Sequence, residues 1–168
     1  MKFKYFIIAL ALLSSLFVYL FYRTEQTVVN WVVIQFMGWD TFQEIRSGVN
    51  AKIGLTGFQV YSLPEALWVL SLTLLSKRYK VRFAAQEISL VFLPIILVLG
   101  FEFFQWMHWS NGSADLNDLW GALLCWALGM AVFPEREPKV YLAESLNIHA
   151  LLCAACYAVV YLAHVRHL

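Results

Sequence analysis

The sequence predicts an all-α polytopic membrane protein of about five transmembrane helices, with the N-terminus in and the C-terminus out. Three observations predict it. Of 168 residues, 61% are hydrophobic and 14% charged, roughly half the charged share of a soluble domain. Mean hydropathy is +0.67. The apolar residues also gather into five runs near the length of a bilayer crossing, whose ~30 Å core takes about twenty helical residues. So short a chain lacks the interior volume to hide this much apolar surface from water, whereas a bilayer supplies an apolar solvent.

The expected spans cover 5–22, 60–76, 86–107, 117–133 and 147–164, with an external segment at 24–58, all in a single domain over 1–168. Before the first span, Lys2 and Lys4 resemble the basic region of a secretory signal. The apolar run is longer than a usual signal core, however, and ends at Phe21-Tyr22-Arg23 without a small-residue cleavage site, so it predicts a retained anchor. Residues 28–39 are apolar but too short to cross, which predicts an interfacial or re-entrant helix. Residues 40–56 mix Asp40, Glu44, Arg46, Asn50 and Lys52 with Gly48 and Gly54, predicting a polar loop with a short amphipathic piece. The second span opens with Ser62-Leu63-Pro64-Glu65, where Ser62 suits a cap, Pro64 the first turn and Glu65 the third position after the cap.

Lys and Arg set the orientation. With the N-terminus in the cytoplasm, Lys2, Lys4, Lys77, Arg78, Lys80, Arg82, Arg136 and Lys139 lie inside, and only Arg23, Arg46, Lys52 and Arg166 outside. Trp31, Trp39, Trp106, Trp109 and Trp120 then fall near the outer boundary, where indole rings favour the interface. The net charge of +1 offers no footprint for nucleic acid. Cys125, Cys153 and Cys156 all sit in apolar runs and make no disulfide framework.

The chemistry concentrates at the hairpin between the third and fourth spans. Glu102 lies inside the third span, Gln105 and Trp109 follow on its face, and His108 is close to it. A turn through Asn111-Gly112-Ser113 leads to Asp115 and Asp118, three apart at the start of the next helix. The turn is too short for anything but antiparallel neighbours, so Glu102 and Gln105 approach Asp115 and Asp118. Asp115 also suits a helix cap, and Asp118 suits the positive end of the helix dipole. The same face of the fourth helix continues through the small residues Ala122, Cys125 and Gly129, and is expected to pack on the third span. Charges inside a span are costly and need a partner or a purpose. The candidate binding residues are therefore Glu102, Gln105, His108, Asp115 and Asp118, with Glu65 divided between capping and this cluster.

Glu102-x2-Gln105, a short turn, then Ser113-Ala114-Asp115-Leu116-Asn117-Asp118 and a glycine-bearing span resembles the VanZ-like membrane proteins over about thirty residues. Their pattern carries an Arg three residues before the first Asp, where this chain has Gly112; it also has Ala122 and Cys125 where Asn and Gly are expected, while Gly129 fits. The resemblance implies a bacterial plasma-membrane protein of the cell envelope, in a family whose founding member is linked to glycopeptide (teicoplanin) resistance. It supplies no catalytic residue.

Three functions compete. The first is binding of an amphiphilic or lipid-linked envelope ligand at the acidic outer-leaflet cluster, where carboxylates favour hydroxyl-rich or cationic head groups. The second is a metal-assisted hydrolase or transferase acting on a lipid-linked substrate. The third is a structural accessory subunit whose polar hairpin locks two helices together. Expected partners are membrane lipids, with a lipid-linked glycan or a glycopeptide implied by the resemblance. No cofactor is expected, and no metal-ligand spacing such as His-x3-His is present; a pore would need a homo-oligomer. His149, Cys153 and Cys156 align on the fifth span, but Ala150, Ala154, Ala155 and Ala158 beside them predict a packing surface. His164 and His167 are expected to be exposed, and Asn111-Gly112-Ser113 is expected to be a turn rather than a glycosylation acceptor.

Overall fold

Helix α1 (Lys2–Tyr22) is followed by two shorter helices, α2 (Val28–Met37) and α3 (Trp39–Lys52), and then by α4 (Gly57–Ser76). Strands β1 (Tyr79–Phe83) and β2 (Gln86–Ser89) lead through a 3-10 turn at Leu90–Phe92 into α5 (Leu93–Trp106). Helix α6 (Leu116–Ala131), strand β3 (Val140–Tyr141) and helix α7 (Ile148–His164) complete the order. This computed structural model describes residues 2–83, 86–109, 115–134, 139–144 and 147–164. Asn111, Gly112, Ser113, Arg136, Arg166 and His167 lie outside the described residues, as does the side chain of His164.

The chain is mostly helical, and two helices, Phe3–Tyr22 and Gly57–Ser76, are long and apolar enough to cross a membrane. Val28–Met37, Leu90–Trp106, Leu116–Ala131 and Ile148–Ala163 are shorter apolar helices. Their directions follow from bonds between them. Ser15 donates to the Pro64 carbonyl at 2.9 Å and Ser71 to the Ile8 carbonyl at 3.5 Å, so α1 and α4 run antiparallel. Helix α6 runs parallel to α4: Gly121 faces Ala66, Gly129 faces Thr73, and Lys77 reaches the carbonyls of Met130, Val132 and Phe133. Helix α7 meets the lower part of α4 through the hydroxyls of Tyr157 and Ser76, 2.8 Å apart. It meets the start of α1 where Tyr5 and His149 stack and bond at 3.0 Å. His149 is thus committed to Tyr5, and Cys153 is buried, which fits the packing reading of that helix.

Helix α4 is the centre of the bundle. Trp68, Val69 and Leu72 are fully buried there, and so are Ser62, Ser71, Thr73 and Ser76. The outward faces of the surrounding helices are apolar: Phe6, Leu10 and Leu13 on α1, Ile96 and Leu99 on α5, Trp120, Leu124 and Leu128 on α6, and Leu151 and Tyr161 on α7 are exposed. Large apolar residues thus lie on the outside as well as in the core, and the core also admits several small hydroxyl residues.

Several expectations are corrected. The small-residue face of α6 packs chiefly on α4, not on α5, because a Cβ at Gly129 would lie 2.8 Å from the Thr73 methyl. Helix α4 begins at Gly57 under a capping box, in which Thr56 accepts from the Gln59 N–H and the Gln59 side chain accepts from the Thr56 N–H. Ser62 is therefore inside the helix and does not cap it, and Glu65 has no capping role. Most of 40–56 is helix rather than loop. Helix α3 lies across the end of α1, with Phe42 buried and Arg46 bonded to Glu25 at 2.8 Å and to the Arg23 carbonyl at 2.6 Å. Residues 86–92 are not part of the third span. The all-α expectation also missed a three-stranded sheet of order β2-β1-β3, with β1 antiparallel to β2 and parallel to β3. Tyr79-Lys80-Val81-Arg82-Phe83 alternates apolar and charged residues, a strand signal hidden inside a basic cluster.

Two ends result. One end, with the sheet, carries Lys4, Lys77, Arg78, Lys80, Arg82 and Lys139. The other carries α2, α3, the start of α4 and the junction of α5 with α6. At the basic end Lys77, almost buried, donates to the Met130, Val132 and Phe133 carbonyls at 2.9, 2.5 and 3.1 Å. A cation thus satisfies the orphan carbonyls of α6 at the negative end of its dipole.

Close approach at Gly129 sets the first prediction. Thr73 is fully buried and stiff at χ1, so it has little room to yield. Gly129→Ala should lose about 1–3 kcal/mol to overpacking, more than the helix-propensity gain of up to about 1 kcal/mol returns. Thermal unfolding in detergent should show a lowered Tm that Thr73→Ser, by removing the methyl, largely restores.

The sheet sets the second. Glu87 accepts from Lys80 Nζ at 2.8 Å and from the Tyr141 hydroxyl. These bonds, the one from Lys80 first, hold its carboxyl below the ordinary carboxylate range. The unfolded hairpin then binds more protons than the folded one, so the contribution is present above about pH 4.3 and fades as pH falls through the lowered value. Amide protection in β1 and β2 should decline below about pH 4. In Glu87→Gln it should be reduced at neutral pH and flat toward acid. A wild-type hairpin equally protected at pH 3 and pH 7 would contradict this.

Candidate acidic binding site

Four helix segments build the site. Helix α5 ends in a Schellman motif: Trp109 N–H bonds to the Phe104 carbonyl at 2.9 Å and His108 N–H to the Gln105 carbonyl at 3.0 Å. His108 takes the left-handed position, φ 57°, where glycine is usual. Trp109 stacks on Phe104 with ring centroids 6.0 Å apart. The imidazole is exposed at this cap, and Trp109 lies past the helix end rather than on the Glu102 face.

Helix α6 starts at Asp115, whose carboxylate accepts from the Asn117 N–H at 2.9 Å, so the expected cap is present. The Asp115 N–H in turn donates to Glu102 Oε2 at 3.0 Å and ties the two helices together. Asp118, in the first turn of α6, faces α4. There Glu65 meets it, and one carboxylate oxygen from each of Glu65, Glu102 and Asp118 lies within 4.8 Å of the others.

The expected site residues therefore separate. Glu65, Glu102 and Asp118 come together, and Asp115 joins them through the Glu102 bond. Gln105 stays one turn further along α5, half-buried and outside the trio, and His108 caps the helix. The pairing of Glu102 with Asp115 was readable from the short turn. The entry of Glu65 was not, because its spacing also fits a cap.

The structure adds Arg23, at the end of α1. Its guanidinium lies 4.8 Å from the Tyr19 ring centroid and 5.8 Å from that of Tyr61, and donates at 3.5 Å to the Tyr19 hydroxyl and the Tyr61 carbonyl. Glu65 is within its electrostatic reach. The ion pairs Arg46–Glu25, Lys80–Glu87 and Arg82–Glu87 involve none of the trio. Residues 110–114, Ser-Asn-Gly-Ser-Ala, include no Lys or Arg.

Beside the trio opens a groove of about 580 Å³. Glu102 and Asp115 form its polar wall, and Leu99, Phe103, Trp106, Leu116 and Leu119 its apolar one. A second groove of about 280 Å³, between α1, α4 and α7, is almost wholly apolar. No protein-family model matches the chain, and no curated protein and no solved structure is similar to it.

Proposed function

We propose that the chain is a VanZ-like, five-span protein of the bacterial plasma membrane, N-terminus in and C-terminus out, whose acidic end binds the hydroxyl-rich head of an amphiphile from the outer leaflet. The observation that carries the reading is the groove of Glu102, Asp115 and Trp106: carboxylates on one side, aromatic and leucine side chains on the other. An amphiphile needs both at once, and an apolar ligand would need no carboxylate. Multi-pass insertion is supported by the exposed apolar faces of α5, α6 and α7, which would be costly in water. Their length of about four turns each suits a thin or locally adapted bilayer. Orientation is supported by the Lys and Arg residues gathered at the sheet end. The exposed Trp31, Phe36 and Trp39 suit an α2–α3 pair lying at the interface.

A structural reading is favoured by one bond, Asp115 N–H to Glu102 Oε2, which could serve only to lock the hairpin. Glu102→Gln separates the two readings, because its amide oxygen still accepts that N–H. In lipid nanodiscs, a brominated alkyl glucoside should quench tryptophan emission saturably, and Trp106→Phe should remove most of the saturable part. Glu102→Gln and Asp118→Asn should weaken this quenching about tenfold while abundance and Tm stay near wild type, a loss of roughly 1.4 kcal/mol each. Unchanged quenching, or unfolding of both variants, would leave the carboxyl groups as helix-packing elements.

Topology has its own readout. In a background with Cys125, Cys153 and Cys156 replaced by Ala, Lys52→Cys should react with an impermeant maleimide on intact cells. Lys139→Cys should react only after the membrane is opened. The reverse pattern would invert the orientation.

A further inference from the structure

Glu65 is 6% exposed, yet its Oε1 has no hydrogen-bond partner, and the buried Oδ1 of Asp118 has none either. Both belong to the group whose oxygens converge within 4.8 Å. An unpaired buried carboxylate oxygen is expensive, and three like charges at this spacing repel strongly unless something positive or a shared proton stands between them. Arg23 is held by Tyr19 and Tyr61 and supplies one positive charge nearby. A divalent ion in the middle would bring the trio and Arg23 together to neutrality.

We propose that Glu65, Glu102 and Asp118 form a binding site for one calcium-sized divalent cation. The inference rests on the reading of the acidic end as a binding site, and it goes beyond the sequence reading, which assigns no metal ligand. The donor set is all carboxylate oxygen, which suits a hard cation rather than zinc or copper. Ligands of calcium at about 2.3–2.6 Å stand at most about 4.6–5.2 Å apart, whereas for magnesium the ceiling is about 4.2 Å. The trio's oxygens, within 4.8 Å of one another, reach a calcium ion after a small inward movement, and magnesium's reluctance to shed its waters disfavours it at so buried a carboxylate set. Three protein oxygens fill about half of its coordination sphere. Glu102 also lines the open groove, so water or oxygens of a head group would complete the sphere from that side. With the ion in place the site also attracts phosphate oxygens, which bare carboxylates would repel.

The test is calorimetric titration of the purified full chain in an uncharged polyoxyethylene detergent, with calcium chloride alone and then with magnesium chloride. Expected is one calcium per chain with Kd of about 10⁻⁴–10⁻³ M, as in extracellular modules, and magnesium at least about tenfold weaker. Glu65→Gln, Glu102→Gln and Asp118→Asn should each weaken calcium at least about tenfold, while Glu87→Gln on the sheet should leave it unchanged. Glu102→Gln is the variant best placed to fold, since it keeps the acceptor for Asp115. No saturable calcium uptake by folded wild-type protein would overturn the proposal. So would uptake undiminished in the folded Glu102 variant. The glucoside quenching, repeated in chelator and in calcium, keeps the two readings apart. Quenching without calcium uptake removes the cation alone, and calcium uptake without quenching removes the amphiphile alone.

Discussion

The parallel contact between α4 and α6 is the constraint on which the rest of the structure depends. Close backbone approach and polar bonds hold the two helices together, the means that also serve where no hydrophobic force acts between helices. Gly129 gives the approach, with Thr73 occupying the space a side chain would need. Lys77 gives the polar bonds at one end by holding the last carbonyls of α6. Once those two points are fixed, the start of α6 has only one place to lie along α4, and Asp118 arrives beside Glu65. The acidic trio is thus a consequence of a register set roughly 12–18 Å away, at about 1.5 Å per residue.

Two helices that run parallel cannot be joined by a short turn, so a third must cross between them. Helix α5 does so, and the sheet with its 3-10 turn is the connection at the basic end. Trp126 on α6 donates to the Val91 carbonyl at 3.0 Å and pins that turn. The bond from Asp115 to Glu102 pins the opposite turn. Glu102 is therefore positioned from both ends of its helix, which gives its carboxylate a defined direction.

Much of this was legible in the sequence, and what was not has a physical reason. Apolar runs locate helices well, and the short link after His108 forces α5 and α6 together, so the proximity of Glu102 to Asp115 could be read directly. Periodicity also marked the Ala122–Gly129 face as a contact surface. Periodicity says which face is buried but not against which neighbour, and the nearest helix in sequence was the wrong choice. The start of α4 is hard to place because Ser62-Leu63-Pro64-Glu65 imitates a helix start, whereas Pro64 lies inside the helix, where its missing N–H costs the one bond to the Val60 carbonyl. The real signal, Thr56 followed three residues later by Gln59, stood in plain view ahead of it.

The departure from the VanZ-like pattern reads differently once the helices are assembled. With Gly112 in place of Arg, the hairpin itself brings no counter-charge to its carboxyl groups. Arg23 approaches the same carboxyl groups from the end of α1, where two tyrosine rings and a carbonyl orient its guanidinium. A guanidinium engaged by ring faces stays charged yet forms no direct ion pair, so it moderates the field at Glu65 without filling the space between the carboxylates. A cation supplied by the hairpin would have closed that space. One supplied from the side leaves the space between the carboxyl groups unfilled, and Glu102, which borders that space, also lines the apolar-walled groove, so that one carboxylate belongs both to the helix contact and to the groove.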